Sequence, residues 1–153
     1  MSCNYISTKV IELGSCAFRQ WKANFSHCHF VHGYQLKAKI WFGAEMLDNC
    51  NWVVDFGGLK DLEKKLKKWF DHTLCVAADD PVLPLFQELH AKDAVDLRVM
   101  EGGVGIEKTA EFVYKLAQQH ISSMTYDRCK VIKVEVFEHE NNSAIYDPSI
   151  SSK

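Results

Sequence analysis

Only three prolines occur in the 153 residues, and none of the six cysteines forms a C-x-x-C pair. The cysteines are scattered, so a disulfide framework or a zinc ribbon is disfavoured. No apolar run approaches the roughly 18 residues of a membrane span. Residues Met1 to Val10 lack the charged segment and apolar core of a secretory leader. Blocks of like charge are missing too, and the net charge of −2 leaves no basic footprint for DNA or RNA. These absences give the expectation of a soluble, cytoplasmic protein with neither a membrane nor a nucleic acid as partner.

What is present fits one domain over residues 1–153. With 47% apolar and 25% charged residues the composition is that of an ordinary globular chain. At this length the chain buries enough surface to fold without a disulfide or structural metal. Apolar and polar residues alternate from Tyr34 to Phe42 and from Val131 to Glu138, which predicts two half-buried strands. The second alternation puts Ile132, Val134, Val136 and Glu138 on one face. Further strands are expected around Thr8 to Phe18, Val95 to Met100 and Ser143 to Tyr146.

Helical spacing joins Leu59, Leu62, Leu66, Trp69 and Phe70, with lysines covering the rest of that helix. A second helix carries Ile106, Ala110, Val113, Leu116, Ala117 and His120. It follows a Gly102-Gly103-Val104-Gly105 turn, which lacks the Lys-Ser/Thr of a phosphate-binding loop. A shorter helix is expected over Pro81 to His90. The order predicts an α+β fold, a four-stranded antiparallel sheet with two main helices on one face. So small a sheet leaves open edges, which joining subunits would cover.

Several residue types suggest chemistry. Cys28 lies between His27 and His29, with His32 shortly after, so the cluster reads either as an activated thiol or as metal ligands. Asp71-His72 follows the first helix, as a candidate chemical pair or as a surface turn. Glu107 opens the second helix, where the helix dipole alone would favour an acid. Glu138 continues an apolar face, a costly place for a carboxylate without a partner. Adjacent N–H donors, as on a pterin or guanine, would satisfy both of its oxygens.

Taken together these residues resemble the 6-pyruvoyltetrahydropterin synthase / 6-carboxytetrahydropterin synthase family. The resemblance rests on Cys28-x-x-x-His32-Gly33, Asn51-Trp52-Val53-Val54-Asp55-Phe56-Gly57-Gly58-Leu59-Lys60 and Phe70-Asp71-His72-Thr73-Leu74. It continues through Glu107-Lys108-Thr109-Ala110 and Val134-Glu135-Val136-Phe137-Glu138, with Ala144 and Tyr146 beyond. The gap between Cys28 and His32 is closer to that of the bacterial 6-carboxytetrahydropterin synthases of 7-deazaguanine (queuosine) biosynthesis.

The resemblance implies a tunnelling fold whose sheets join across subunits into a barrel, as a homo-oligomeric trimer or hexamer with active sites at the interfaces. It also implies a lyase acting on 7,8-dihydroneopterin triphosphate. Cys28 would move protons, Asp71 and His72 would assist, Glu138 would anchor the pterin, and Glu107 would be a weaker substrate contact. A non-catalytic pterin- or purine-binding protein and a divergent enzyme acting on a related pterin are the alternatives.

Family members hold a catalytic zinc with three histidines, and here two of those positions are Phe18 and Tyr34, neither a usual zinc ligand. Two outcomes stay open. His27 and His29 rebuild a zinc site with His32, or the polarisation of the substrate hydroxyls falls to Tyr34, Arg19 or His27, or is lost.

Overall fold

The computed structural model describes residues 2–150. Six strands form one mixed sheet, flanked by three helices. Strand β1 spans Tyr5–Phe18, β2 His32–Ala44, β3 Thr73–Ala77, β4 Leu97–Met100, β5 Cys129–His139 and β6 Asn142–Tyr146. Helix α1 spans Lys60–Phe70, α2 Leu83–Ala91 and α3 Ile106–Thr125. The strand order is β4-β3-β1-β2-β5-β6.

The expected four-stranded antiparallel sheet is thus corrected to six mixed strands. Strands β1, β2, β5 and β6 pair antiparallel as neighbours, whereas β3 and β4 are added in parallel beside the end of β1. Strand β3 was not anticipated because all five of its residues are buried, so Thr-Leu-Cys-Val-Ala shows no alternation. Its Cys75 joins the main core, while Leu74 and Val76 pack with Phe86 of α2 in a second cluster. A side chain on each face is what a doubly covered strand requires. Helices α1 and α3 cover one face, as expected, and α2 covers the other at the β3–β4 end.

Helix α1 turns Leu62, Leu66 and Phe70 fully inward, and α3 does the same with Ala110, Val113, Ala117 and Ile121. Opposite them stand Leu36, Ala38, Ile40 and Phe42 of β2, all without exposure. Two bulges adjust which residues face this core. In β1 the register slips between Glu12 and Gly14, so Ile11 and Leu13 are inward before it, and Cys16 and Phe18 after it. In β5 the pairing skips Ile132 and gives the inward position to Val131. The expected face through Ile132 is corrected accordingly, while Val134 and Val136 stay inward and lead to Glu138.

Strand β3 covers β1 only over Cys16 to Phe18. The longer first part of β1 is therefore an open sheet edge, and β6 is another.

Candidate functional site

Strands β1 and β5 run the same way, so the C-terminal end of β1, the start of β2 and the end of β5 meet at one corner of the sheet. Register pairs Phe18 with His32 and Cys16 with Tyr34. The ring centres of Phe18 and His32 are 5.0 Å apart, those of His32 and Tyr34 5.3 Å, and those of Phe18 and Tyr34 6.0 Å. His139, at the end of β5, lies 6.4 Å from Tyr34 between ring centres.

Cys28 reaches this corner on a single 3-10 turn, His27–His29. The Ser26 hydroxyl caps that turn by accepting from the Cys28 amide at 3.1 Å, and the Cys28 carbonyl accepts from the Gln20 amide at 2.8 Å. Glu138 is 18% exposed at its side chain. Its carboxylate accepts from the Asn142 side-chain amide at 2.9 Å, and His139 Nε2 stands 3.9 Å away. Burial pushes the Tyr34 phenol above its usual value, and the charges of Glu138 and Cys28 push the same way. Thiol, phenol and carboxylate thus share one electrostatic neighbourhood, with the phenol protonated at neutral pH.

The other histidines near Cys28 point elsewhere. His29 Nδ1 lies 2.5 Å from the Ser26 carbonyl and its ring rests on Phe30, while His27 is exposed. Among the described residues no three His, Cys, Asp or Glu side chains gather as a metal-ion site. His27 and His29, one of the two open routes to a zinc site, do not group with His32 among the described residues. At the ligand positions that the resemblance implies, the side chains present are one imidazole, one phenol and one phenyl ring, which does not fit a three-histidine zinc ion.

Arg19 follows Phe18 but is already committed. Its Nε and Nη2 donate to the two oxygens of Asp80, each at 2.7 Å, and the Asp80 side chain has no exposure. The guanidinium holds the Asp80 carboxyl below its usual range. This buried pair was not foreseen, since its members lie 61 residues apart.

Asp71 and His72 form a separate pair on the other side of β1. Asp71 ends α1, accepts from the Ser15 amide at 2.9 Å, and lies 3.0 Å from His72 Nδ1. The Ser15 bond, more than His72, holds its carboxyl below the usual value. His72 adopts a left-handed backbone, φ 59°, and its side chain is 85% exposed. Glu107 is also exposed, in the first turn of α3. Of the expected residues, then, Cys28 and Glu138 act on the Tyr34 phenol and His32 lies against its ring, while Asp71, His72 and Glu107 have their own surroundings. Missed from the sequence were His139 and Asn142, which brace Glu138 across the β5–β6 turn.

A sequence profile described as 6-pyruvoyl tetrahydropterin synthase matches residues 10–149. The chain belongs to that family. Among curated relatives, a 6-carboxy-5,6,7,8-tetrahydropterin synthase from Aquifex aeolicus is 24% identical over 144 residues, covering 84% of this chain and 89% of the relative. A protein of the same name from Rickettsia conorii is 41% identical over 54 residues, covering 35% of this chain and 39% of the relative. An uncharacterized protein from Wolinella succinogenes is similar in structure, with a TM-score of 0.80 at 19% identity over 94% of this chain and 98% of the other. A Plasmodium vivax 6-pyruvoyltetrahydropterin synthase, a catalytic-residue mutant, gives 0.68 at 16% identity with the same two coverages. These likenesses establish the synthase family's fold. No helix of the described residues is long and apolar enough to cross a membrane.

Proposed function

We propose that this protein is a lyase of the 6-carboxytetrahydropterin synthase type, acting on 7,8-dihydroneopterin triphosphate in 7-deazaguanine (queuosine) formation. The observation that carries the reading is that the Tyr34 phenol, packed against His32 and His139 at one corner of the sheet, feels the charges of both Cys28 and Glu138. A half-buried carboxylate with two oxygens matches the paired N–H donors of a pterin ring. The Asn142 amide holds that carboxylate in place, as a preorganised anchor requires. Cys28 then stands beside the bound side chain, where its sulfur takes a proton from carbon and returns it.

Asp71 and His72 complete this scheme from a second copy of the chain. In a ring of copies turned about an axis along the strands, β6 of one copy runs antiparallel to β1 of the next, so the start of that β6 lies at the Gly14 end of β1. There the exposed His72 meets the neighbour's β5–β6 turn, which carries Glu138 and Asn142. Glu107 remains a proposed outer contact to the substrate. The metal question follows the donor set, so no step here passes through zinc.

Mass spectrometry of products formed from 7,8-dihydroneopterin triphosphate by the purified protein tests the proposal. Formation of 6-carboxytetrahydropterin is the expected result. Unchanged substrate with tight pterin binding would instead favour a binding protein that kept Glu138, a reading supported by the altered ligand positions. Turnover of another pterin would favour a divergent enzyme.

A further inference from the structure

The three-histidine set is missing, yet the corner keeps a thiol and a carboxylate. Something must still polarise a side-chain oxygen of the substrate if the lyase reading above, on which this inference rests, holds. Three side chains are candidates, and their surroundings separate them. Arg19 spends its Nε and Nη2 on Asp80, while Nη1 reaches toward the His29 carbonyl at 3.4 Å. Its fork is turned toward β3 and the following loop. His27 is exposed on the 3-10 turn, and among the described residues none bonds to or stacks on its ring.

Tyr34 differs from both. Its ring is fixed on several sides, by Phe18, by His32 edge-on, and by His139. The charges of Cys28 and Glu138 both act on its phenol, and it stands at one of the two altered positions where the resemblance implies a histidine ligand. No hydrogen bond to a described residue occupies its hydroxyl. A braced ring with a free O–H is a preorganised donor, and fixed donors aimed at developing charge are an effective substitute for a cation. His32 Nδ1 donates to the Phe30 carbonyl at 2.8 Å, which fixes the ring that meets Tyr34 edge-on.

We propose that Tyr34 is a catalytic hydrogen-bond donor to the substrate's side-chain oxygen, in a site that works without a three-histidine metal. The phenol keeps its proton throughout. Its bond to that oxygen strengthens as negative charge builds there, while Phe18 supplies the apolar wall against which the phenol is held.

Steady-state kinetics and metal analysis on the full-length protein decide the point. After dialysis against a strong chelator, native protein is expected to retain turnover of 7,8-dihydroneopterin triphosphate with zinc far below one ion per chain. Tyr34→Phe keeps the ring and its packing, and is expected to lower kcat by about 10²-fold while leaving pterin affinity nearly unchanged. The double variant Phe18→His with Tyr34→His recreates three histidines and is expected to take up one zinc per chain. Tyr34→Phe with native kcat would overturn the proposal and leave the lyase reading standing. So would native turnover that is lost on chelation and restored by zinc. Native protein that converts no pterin would remove the lyase reading itself, and the proposal with it.

Discussion

Arg19 and Asp80 illustrate what a single residue contributes beside the site. Asp80 is wholly buried at its side chain, and its carboxylate is satisfied by the guanidinium and by the Val82 amide at 2.8 Å. Removing one partner of such a pair leaves the other charge without compensation, so Asp80→Ala should cost about 3 kcal/mol, measured as a shift of the urea unfolding curve. The pH dependence has a definite sign. Because the folded carboxyl titrates below its usual value, its contribution is complete above about pH 4, the unfolded value, and is lost as pH falls through the folded one. Native stability should therefore fall below that pH more steeply than stability of Asp80→Ala. Neither residue announced its partner in the sequence, because a contact across 61 residues has no local pattern. Glu138 was legible for the opposite reason, as its misfit on an apolar strand face is written within a few neighbouring positions.

At the scale of elements, legibility followed periodicity. Helices α1 and α3 and strand β2 each bury one face, so their patterns could be read directly. Strand β3 buries both faces and looked like nothing in particular. The bulges were equally invisible, since each depends on a partner strand. The bulge at Gly14 links fold to site. Its backbone sits at φ 102°, and a Cβ there would come within 2.5 Å of the Asp71 side chain. Gly14→Ala should thus strain the backbone by about 1–3 kcal/mol and push Asp71 off the Ser15 amide. The expected outcome is a lower melting temperature together with slower turnover, with pterin binding at Glu138 retained. A variant that loses binding in proportion to turnover would place Asp71 nearer the pterin than the single chain does.

At the scale of the whole molecule, the proposed assembly of copies would account for the separation of Asp71 and His72 from Cys28. The first part of β1 is an open edge whose Tyr5, Ile6 and Val10 are about half exposed, and Ile145 of the β6 edge is 48% exposed. A cleft of about 700 Å³ lies beside this stretch, lined in part by Tyr5, Ile6, Trp52 and Phe56. Unpaired strand edges with apolar side chains favour association, and a ring of identical copies closes when each β1 edge meets the next β6 edge. In such a ring every site takes Cys28 from one copy and His72 from another. Two inactive proteins, Cys28→Ala and His72→Ala, should then rescue each other when co-expressed. With random assembly in equal amounts, about a quarter of the sites combine an intact thiol with an intact imidazole, so activity should return to roughly that fraction of native. Light scattering should find the same trimer or hexamer for all three preparations. Mixed oligomers of that size without recovered turnover would show that one chain supplies both residues to its own site, and the separation of Asp71 and His72 from Cys28 would then have to close by a movement within the subunit.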